Sequence, residues 1–206
     1  RIAELEDETF LGYIKRDGDA PSVGALVPDF RLLDTKGNPF QLSTLGKPAI
    51  VNFWASWCAF CIEEMPDFQL LHEAIGDRVT VIGINRGESQ GTAVRFGLET
   101  GAQYTLLLDL KDELGRSTGP YRIIGMPTTL YVDAEGRVNT VRIGFQTLDD
   151  MQELSGRLLN EDLDITDGVI DTSFIARITE TLNSQVAAHA VAAVLSGIYC
   201  EDGARA

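Results

Sequence analysis

The sequence predicts an α/β fold: a mixed central sheet flanked by helices, an N-terminal β-hairpin extension and an additional C-terminal helix. Three observations predict it. Two short, nearly continuous apolar runs, Ala49-Ile50-Val51-Asn52-Phe53-Trp54 and Val79-Thr80-Val81-Ile82-Gly83-Ile84, suit strands buried on both faces. Between and after them, apolar residues recur at helical spacing. Beyond residue 127, two strand-like runs flank Asp133-Ala134-Glu135-Gly136, a turn sequence that closes an antiparallel hairpin.

Residues 1–25 are acidic at first and read as a tether and linker. Residues 26–43 place Leu26, Phe30, Leu32, Phe40 and Leu42 around the polar turn Asp34-Thr35-Lys36-Gly37-Asn38, so a hairpin is expected. Pro48 then introduces the first buried strand. A helix follows from Cys58, with Ser56 as a candidate cap. Its stripe is Ile62, Met65, Phe68 or Gln69, Leu71 or His72, and Ile75, and Pro66 inside it predicts a kink. After the second buried strand come a helix over 88–100, a strand over 105–108 and a short helix over 111–117. Strands over 127–132 and 137–143 form the closing hairpin, and 148–159 is the closing helix. The domain therefore runs over 26–160, with parallel crossovers first and an antiparallel hairpin last.

Residues 161–206 stand outside this pattern. The stretch 160–171 carries five acids and reads as a solvated connector. Residues 173–199 read as one long helix with Ile175, Ile178, Leu182, Val186 and His189 on one stripe. A helix this apolar must pack on something: its own domain, a partner protein or a second copy.

Composition narrows the function. At 206 residues the chain corresponds to roughly 1.4 average domains. Its 44% hydrophobic and 23% charged residues are those of a globular protein. The net charge of −14 excludes nucleic acid as a natural partner, since nothing would neutralise phosphates. No apolar run reaches the roughly 18 residues that a membrane-spanning helix needs.

The three cysteines are Cys58, Cys61 and Cys200. Three are too few for a disulfide framework, and one C-x-x-C with only His72 and His189 elsewhere does not complete a zinc site. No metal or other cofactor is expected. Redox chemistry is the stronger reading. A C-x-x-C entering a helix sets the first sulfur near unpaired backbone N–H groups and the positive end of the helix dipole, which favours its thiolate. Cys58 is then the nucleophile, and Cys61, one turn inside the helix, resolves the mixed disulfide. Cys200 is either a buried or idle thiol, or a site of intermolecular pairing or modification.

The segment Val51-Asn52-Phe53-Trp54-Ala55-Ser56-Trp57-Cys58-Ala59-Phe60-Cys61 resembles a thioredoxin active-site segment, and Gly125-Met126-Pro127-Thr128-Thr129 resembles the cis-proline loop of that fold. The opening Val27-Pro28-Asp29-Phe30, with Gly37, Leu42 and Glu64, narrows the resemblance to the TlpA/ResA-like thiol–disulfide oxidoreductases of the AhpC/TSA-related redoxins. It covers residues 26–160 and implies a thioredoxin fold. By resemblance Pro127 is the cis-proline facing the dithiol, Met126 offers backbone groups to an extended substrate, and Trp57 flanks the sulfurs. Asn52 stands where thioredoxin keeps a buried Asp and cannot titrate. Glu64 is expected to take over that role and to tune or deprotonate Cys61.

Phe60 departs from the family, which usually has Pro before the second cysteine. It restores a backbone N–H beside Cys58, from which a more oxidising couple is expected, and its ring either restricts substrates or meets a fixed partner. Thr128 stands where the cytochrome-maturation branch often carries Glu, which favours a general member over that specialist. A peroxidase is disfavoured, because Ala55 and Val51 stand where peroxiredoxins need hydroxyl and proline groups. A redox-capable accessory subunit of a membrane-associated assembly, docking through its C-terminal helix, is the alternative. The resemblance implies disulfide-bearing protein substrates and a membrane electron-transfer protein as reductant. It also implies an extracytoplasmic location, with tethering by a segment upstream of residue 1.

Overall fold

The computed structural model describes residues 21–163. The helix expected over 173–199, with His189, and Cys200 lie outside them. Seven strands and three helices follow in the order β1 (Arg31–Asp34), β2 (Pro39–Gln41), β3 (Ala49–Trp54), α1 (Ala59–Ile75), β4 (Thr80–Arg86), α2 (Gln90–Glu99), β5 (Thr105–Asp109), β6 (Thr128–Val132), β7 (Val138–Ile143) and α3 (Leu148–Leu159). They form one mixed sheet in the order β2-β1-β5-β4-β3-β6-β7. β3, β4 and β5 are mutually parallel; β1–β2, β1–β5, β3–β6 and β6–β7 are antiparallel. The expected order of elements is therefore present but for one.

That exception is the short helix expected over 111–117. The segment forms turns instead. The buried Asp109 carboxylate accepts from the backbone N–H groups of Glu113 (2.8 Å) and Leu114 (2.9 Å), and Asp112 adopts φ 51°. Side-chain capping and a left-handed residue divert the chain before a helical repeat begins. The start also differs slightly. Gly24 and Ala25, expected in the linker, already bond β7: Gly24 N–H donates to the Val138 carbonyl and Val138 N–H to the Ala25 carbonyl.

Alternation along β3 separates two cores. Ile50 and Trp54 point to one side, where they join Met65, Phe68, Leu71 and Ile75 of α1, Ala93 of α2, and Met151 and Leu158 of α3. Ala49, Val51 and Phe53 point to the other side, where Phe30, Leu114 and Tyr121 cover them. The buried apolar residues of the three helices thus all fall on one face, and the hairpin and the 110–125 turns close the other. Tyr121 Oη donates to the Pro28 carbonyl at 2.5 Å, so this second layer is pinned by a buried hydrogen bond. His72, expected at the surface, is half-buried on α1.

Gly83 lies beside Asn52 on the helix-covered face. An added Cβ would sit 2.8 Å from Leu106 Cδ2 and 3.1 Å from the Trp54 indole nitrogen. Gly83→Ala is therefore expected to destabilise the fold by about 1–3 kcal/mol through overpacking, read as a lower denaturant midpoint at unchanged slope.

Candidate active site

The dithiol sits where β3 hands the chain to α1. Cys58 N–H donates to the Ala55 carbonyl (3.1 Å), closing the turn 55–58. Cys58 is extended (φ −95°, ψ 98°) and is itself the N-cap of α1: its Sγ accepts from Cys61 N–H at 3.2 Å. Cys58 and Cys61 are joined by a disulfide, with Cα atoms 5.3 Å apart. Cys58 is 7% exposed and Cys61 is fully buried, so of the two sulfurs Cys58 is the one an incoming group can reach.

Ser56 does not cap the helix as expected. Its N–H and Oγ both donate to the Glu88 carboxylate, at 2.8 and 2.5 Å, and Asn85 Nδ2 donates to the same group at 2.7 Å. The cap position is occupied by a cysteine, and the nearby serine serves a loop-to-loop staple instead. Phe60 was expected to bring a further N–H to Cys58; the N–H that reaches Cys58 Sγ is that of Cys61.

Glu64 lies one turn beyond Cys61 on the same face of α1, fully buried, while its neighbour Glu63 is exposed. Asn52 Nδ2 donates to Glu64 Oε1 at 2.7 Å, and Gln146 N–H donates to Oε2 at 3.2 Å. Burial outweighs those two bonds and pushes the Glu64 carboxyl up to about 8. A group that exchanges its proton near neutral pH thus stands behind the dithiol.

The register of β3 and β6 places the other half of the site. Phe53 pairs Thr128, so the preceding Met126-Pro127 peptide flanks the turn that carries Cys58. That peptide is cis, as expected of Pro127. Pro127 is buried, and its carbonyl accepts from Gly144 N–H at 2.9 Å. The Met126 side chain packs against both cores, and its Sδ lies 3.2 Å from Arg86 Nη1. Arg86 is itself held bidentately by Asp112, at 2.7 and 2.8 Å.

The rim is apolar. Trp57 and Phe60 are more than half exposed, and Phe60 packs on Phe145 with ring centroids 6.0 Å apart. Ile124 and Ile143 are also exposed, and Ile143 adjoins Gly125 of the proline loop. Sequence reasoning put forward Trp57, Cys58, Phe60, Cys61, Glu64, Met126 and Pro127 as candidates, and the structure places them at one end of the sheet. It missed Glu88, Phe145 and Gln146. Phe145 and Gln146 follow a strand with no motif around them, and only the packing of α1 against α3 brings them to Phe60 and Glu64.

Comparison with known proteins agrees with this geometry. Residues 23–141 match the model of the AhpC/TSA family. The chain is 31% identical over 135 residues to the thiol-disulfide oxidoreductase ResA of Geobacillus kaustophilus, spanning 65% of this chain and 76% of that one. It is 34% identical over 141 residues to the thiol:disulfide interchange protein DsbE of Escherichia coli K12, spanning 66% and 69%. Among solved structures, a DsbE-type interchange protein from Chlorobium tepidum superposes with a TM-score of 0.60 at 28% identity, covering 68% of this chain and 98% of that one. A secreted Mycobacterium tuberculosis disulfide oxidoreductase homologous to E. coli DsbE gives 0.53 at 30% identity, covering 64% and 95%.

Proposed function

The chain belongs to the AhpC/TSA family, within its ResA-like thiol–disulfide oxidoreductases, and we propose that it works as a reductase of disulfides in exported proteins. The observation that carries this reading is the pairing of an accessible N-cap Cys58 with a buried Cys61 and a buried Glu64 behind them.

The Cys58 thiolate, favoured by the N-terminus of α1, attacks one sulfur of the substrate disulfide. A Cys58–substrate disulfide forms and one substrate thiolate leaves. Glu64, as carboxylate, takes the Cys61 proton, and the Cys61 thiolate then attacks Cys58 Sγ. The second substrate thiolate leaves, the protein holds the Cys58–Cys61 disulfide and the substrate holds two thiols. Electrons return by the same exchange run backwards from a dithiol donor. A membrane electron-transfer protein suits that part, because the reducing pool of the cytosol is out of reach of an extracytoplasmic site. The exposed Trp57, Phe60, Ile124 and Ile143 around the proline loop supply an apolar seat for the substrate chain, and Met126 supplies backbone groups to pair with it. The extracytoplasmic location is supported by the DsbE-like relatives, one of them described as secreted. Among the described residues no helix is long and apolar enough to cross a membrane, so a tether would lie outside them.

The direction of electron flow is tested by the equilibrium potential of the Cys58–Cys61 couple, with Cys200→Ser to isolate it. A value near or below about −230 mV supports a reductase; one near or above about −180 mV makes the protein an oxidant or isomerase instead. Phe60 is expected to raise that value within its range. Phe60→Pro leaves the Cys61 N–H on Cys58 Sγ but removes one unpaired N–H from the first turn of α1. Weakening that positive helix end disfavours the thiolate and should lower the potential by on the order of 30 mV in the same titration.

A further inference from the structure

Four fully buried polar residues form a chain that ends on Glu64. Tyr131 Oη donates to Gln146 Oε1 at 2.9 Å. Gln146 Nε2 donates to Thr129 Oγ1 at 2.9 Å. Asn52 Nδ2 donates both to Thr129 Oγ1, at 3.1 Å, and to Glu64 Oε1, at 2.7 Å. Asn52, Thr129, Tyr131 and Gln146 are all fully buried. Asn52 Oδ1 has no hydrogen-bond partner among the described residues. The Asn52 amide is therefore not held by its oxygen. What fixes the direction in which it points is the second bond of its nitrogen, to Thr129.

We propose that Thr129 and Gln146 are positioning residues for the exchange: they hold the Asn52 amide with its N–H toward the Glu64 carboxylate. Tyr131 orients the Gln146 amide by occupying its oxygen, which turns Nε2 toward Thr129. Gln146 then fixes the Thr129 hydroxyl oxygen, whose remaining lone pair accepts from Asn52. With Thr129 in place, the orientation that serves Glu64 makes two hydrogen bonds. Without it, that orientation makes one, and only the bond to Glu64 itself holds the amide nitrogen in place. Gln146 acts on Glu64 twice, because its own backbone N–H also donates to Oε2. The inference rests on Glu64 as the base for Cys61. A carboxylate buried this deeply keeps a usable charged form only through such donors.

The other titratable groups that face Glu64 are Asp67 on α1, Tyr104 ahead of β5, and Tyr131 on β6, with Cys61 one turn back on α1. None of them is replaced in the test. The experiment follows the Glu64 side-chain carboxyl by carbon-detected NMR in the full-length disulfide form, where Cys58 and Cys61 do not titrate. Wild type, Thr129→Val, Thr129→Ser and Gln146→Met are compared. In Thr129→Val the Glu64 midpoint should rise by about half a pH unit or more, since the donor to its charged form is no longer held by a second bond. Thr129→Ser should restore it, and Gln146→Met, which keeps the backbone N–H, should shift it the same way by less. Gln146→Met also stands in if Thr129→Val fails to fold. An unchanged or lowered midpoint in Thr129→Val, or in Gln146→Met standing alone, overturns the proposal. The pH dependence of mixed-disulfide resolution in Glu64→Gln separates the two readings. If Glu64→Gln alters that profile but the network variants leave the midpoint in place, Glu64 is the base and the positioning role is wrong. If Glu64→Gln leaves the profile untouched, the base role fails and the positioning role with it.

Discussion

Cys58→Ser is expected to abolish exchange, lowering the rate of disulfide reduction by at least about 10³-fold, whereas Cys61→Ser stops it halfway. The asymmetry follows from burial. Cys58 is the sulfur that can be reached, and Cys61 is enclosed by the core of α1, Met65 and Phe68. A substrate disulfide therefore meets Cys58 first. Without Cys58 the remaining thiol has no access. Without Cys61 the first displacement still occurs, but no thiol stands behind Cys58 to break the bond that results. Cys61→Ser should accumulate a covalent adduct with its substrate, visible as a non-reducing gel shift that collapses with dithiothreitol. Cys58→Ser should accumulate none. An adduct on Cys61 in the Cys58→Ser protein would reverse the assignment.

Glu64→Gln should have two effects of opposite character. The first is kinetic: a glutamine cannot accept the Cys61 proton, so resolution of the mixed disulfide should slow by about 10²-fold near pH 7. The second is a gain in stability at high pH. In the folded protein Glu64 holds its proton up to about 8, against an ordinary value of 4.5. The unfolded chain releases that proton first, so this group favours folding fully below about pH 4.5. Its contribution is lost as pH rises through the window to 8. By pH 9 the loss is on the order of 5 kcal/mol. Gln keeps the shape of the neutral acid without the titration. Guanidinium unfolding of the oxidised protein at pH 5, 7 and 9 should show Glu64→Gln close to wild type at pH 5 and clearly more stable at pH 9. Asp109 is also raised by burial, but it is common to both proteins and cancels in the difference; the repulsion between Asp67 and the charged Glu64 is lost in Glu64→Gln and adds to the gain at high pH.

What the sequence could and could not convey follows the range of the forces involved. β3, β4 and β6 are each buried along most or all of their length, so their apolar runs announced them. The proline loop and the dithiol were legible because each is a local motif with a fixed spacing. The segment 111–117 misled, because its fate was decided by Asp109, a carboxylate outside it that captures its N–H groups. Ser56 misled for a related reason: its nearest partner in space, Glu88, is 32 residues away in the chain. Gln146 carried no signal at all. A glutamine after an exposed strand end reads as surface, and only the seating of α3 against α1 buries it beside Glu64.

Gly24 and Val27 bond the β7 end at Gly136 and Val138. Val138 pairs Val132, and Val132 pairs Ala49, the first residue of β3. Cys58 follows the last. The strand between them spans five residue steps, about 17 Å. The chain thus enters the sheet at one pole and carries its reactive sulfur at the other. Whatever grips the protein from its N-terminal side grips it from behind, and Cys58 faces outward with its apolar rim uncovered.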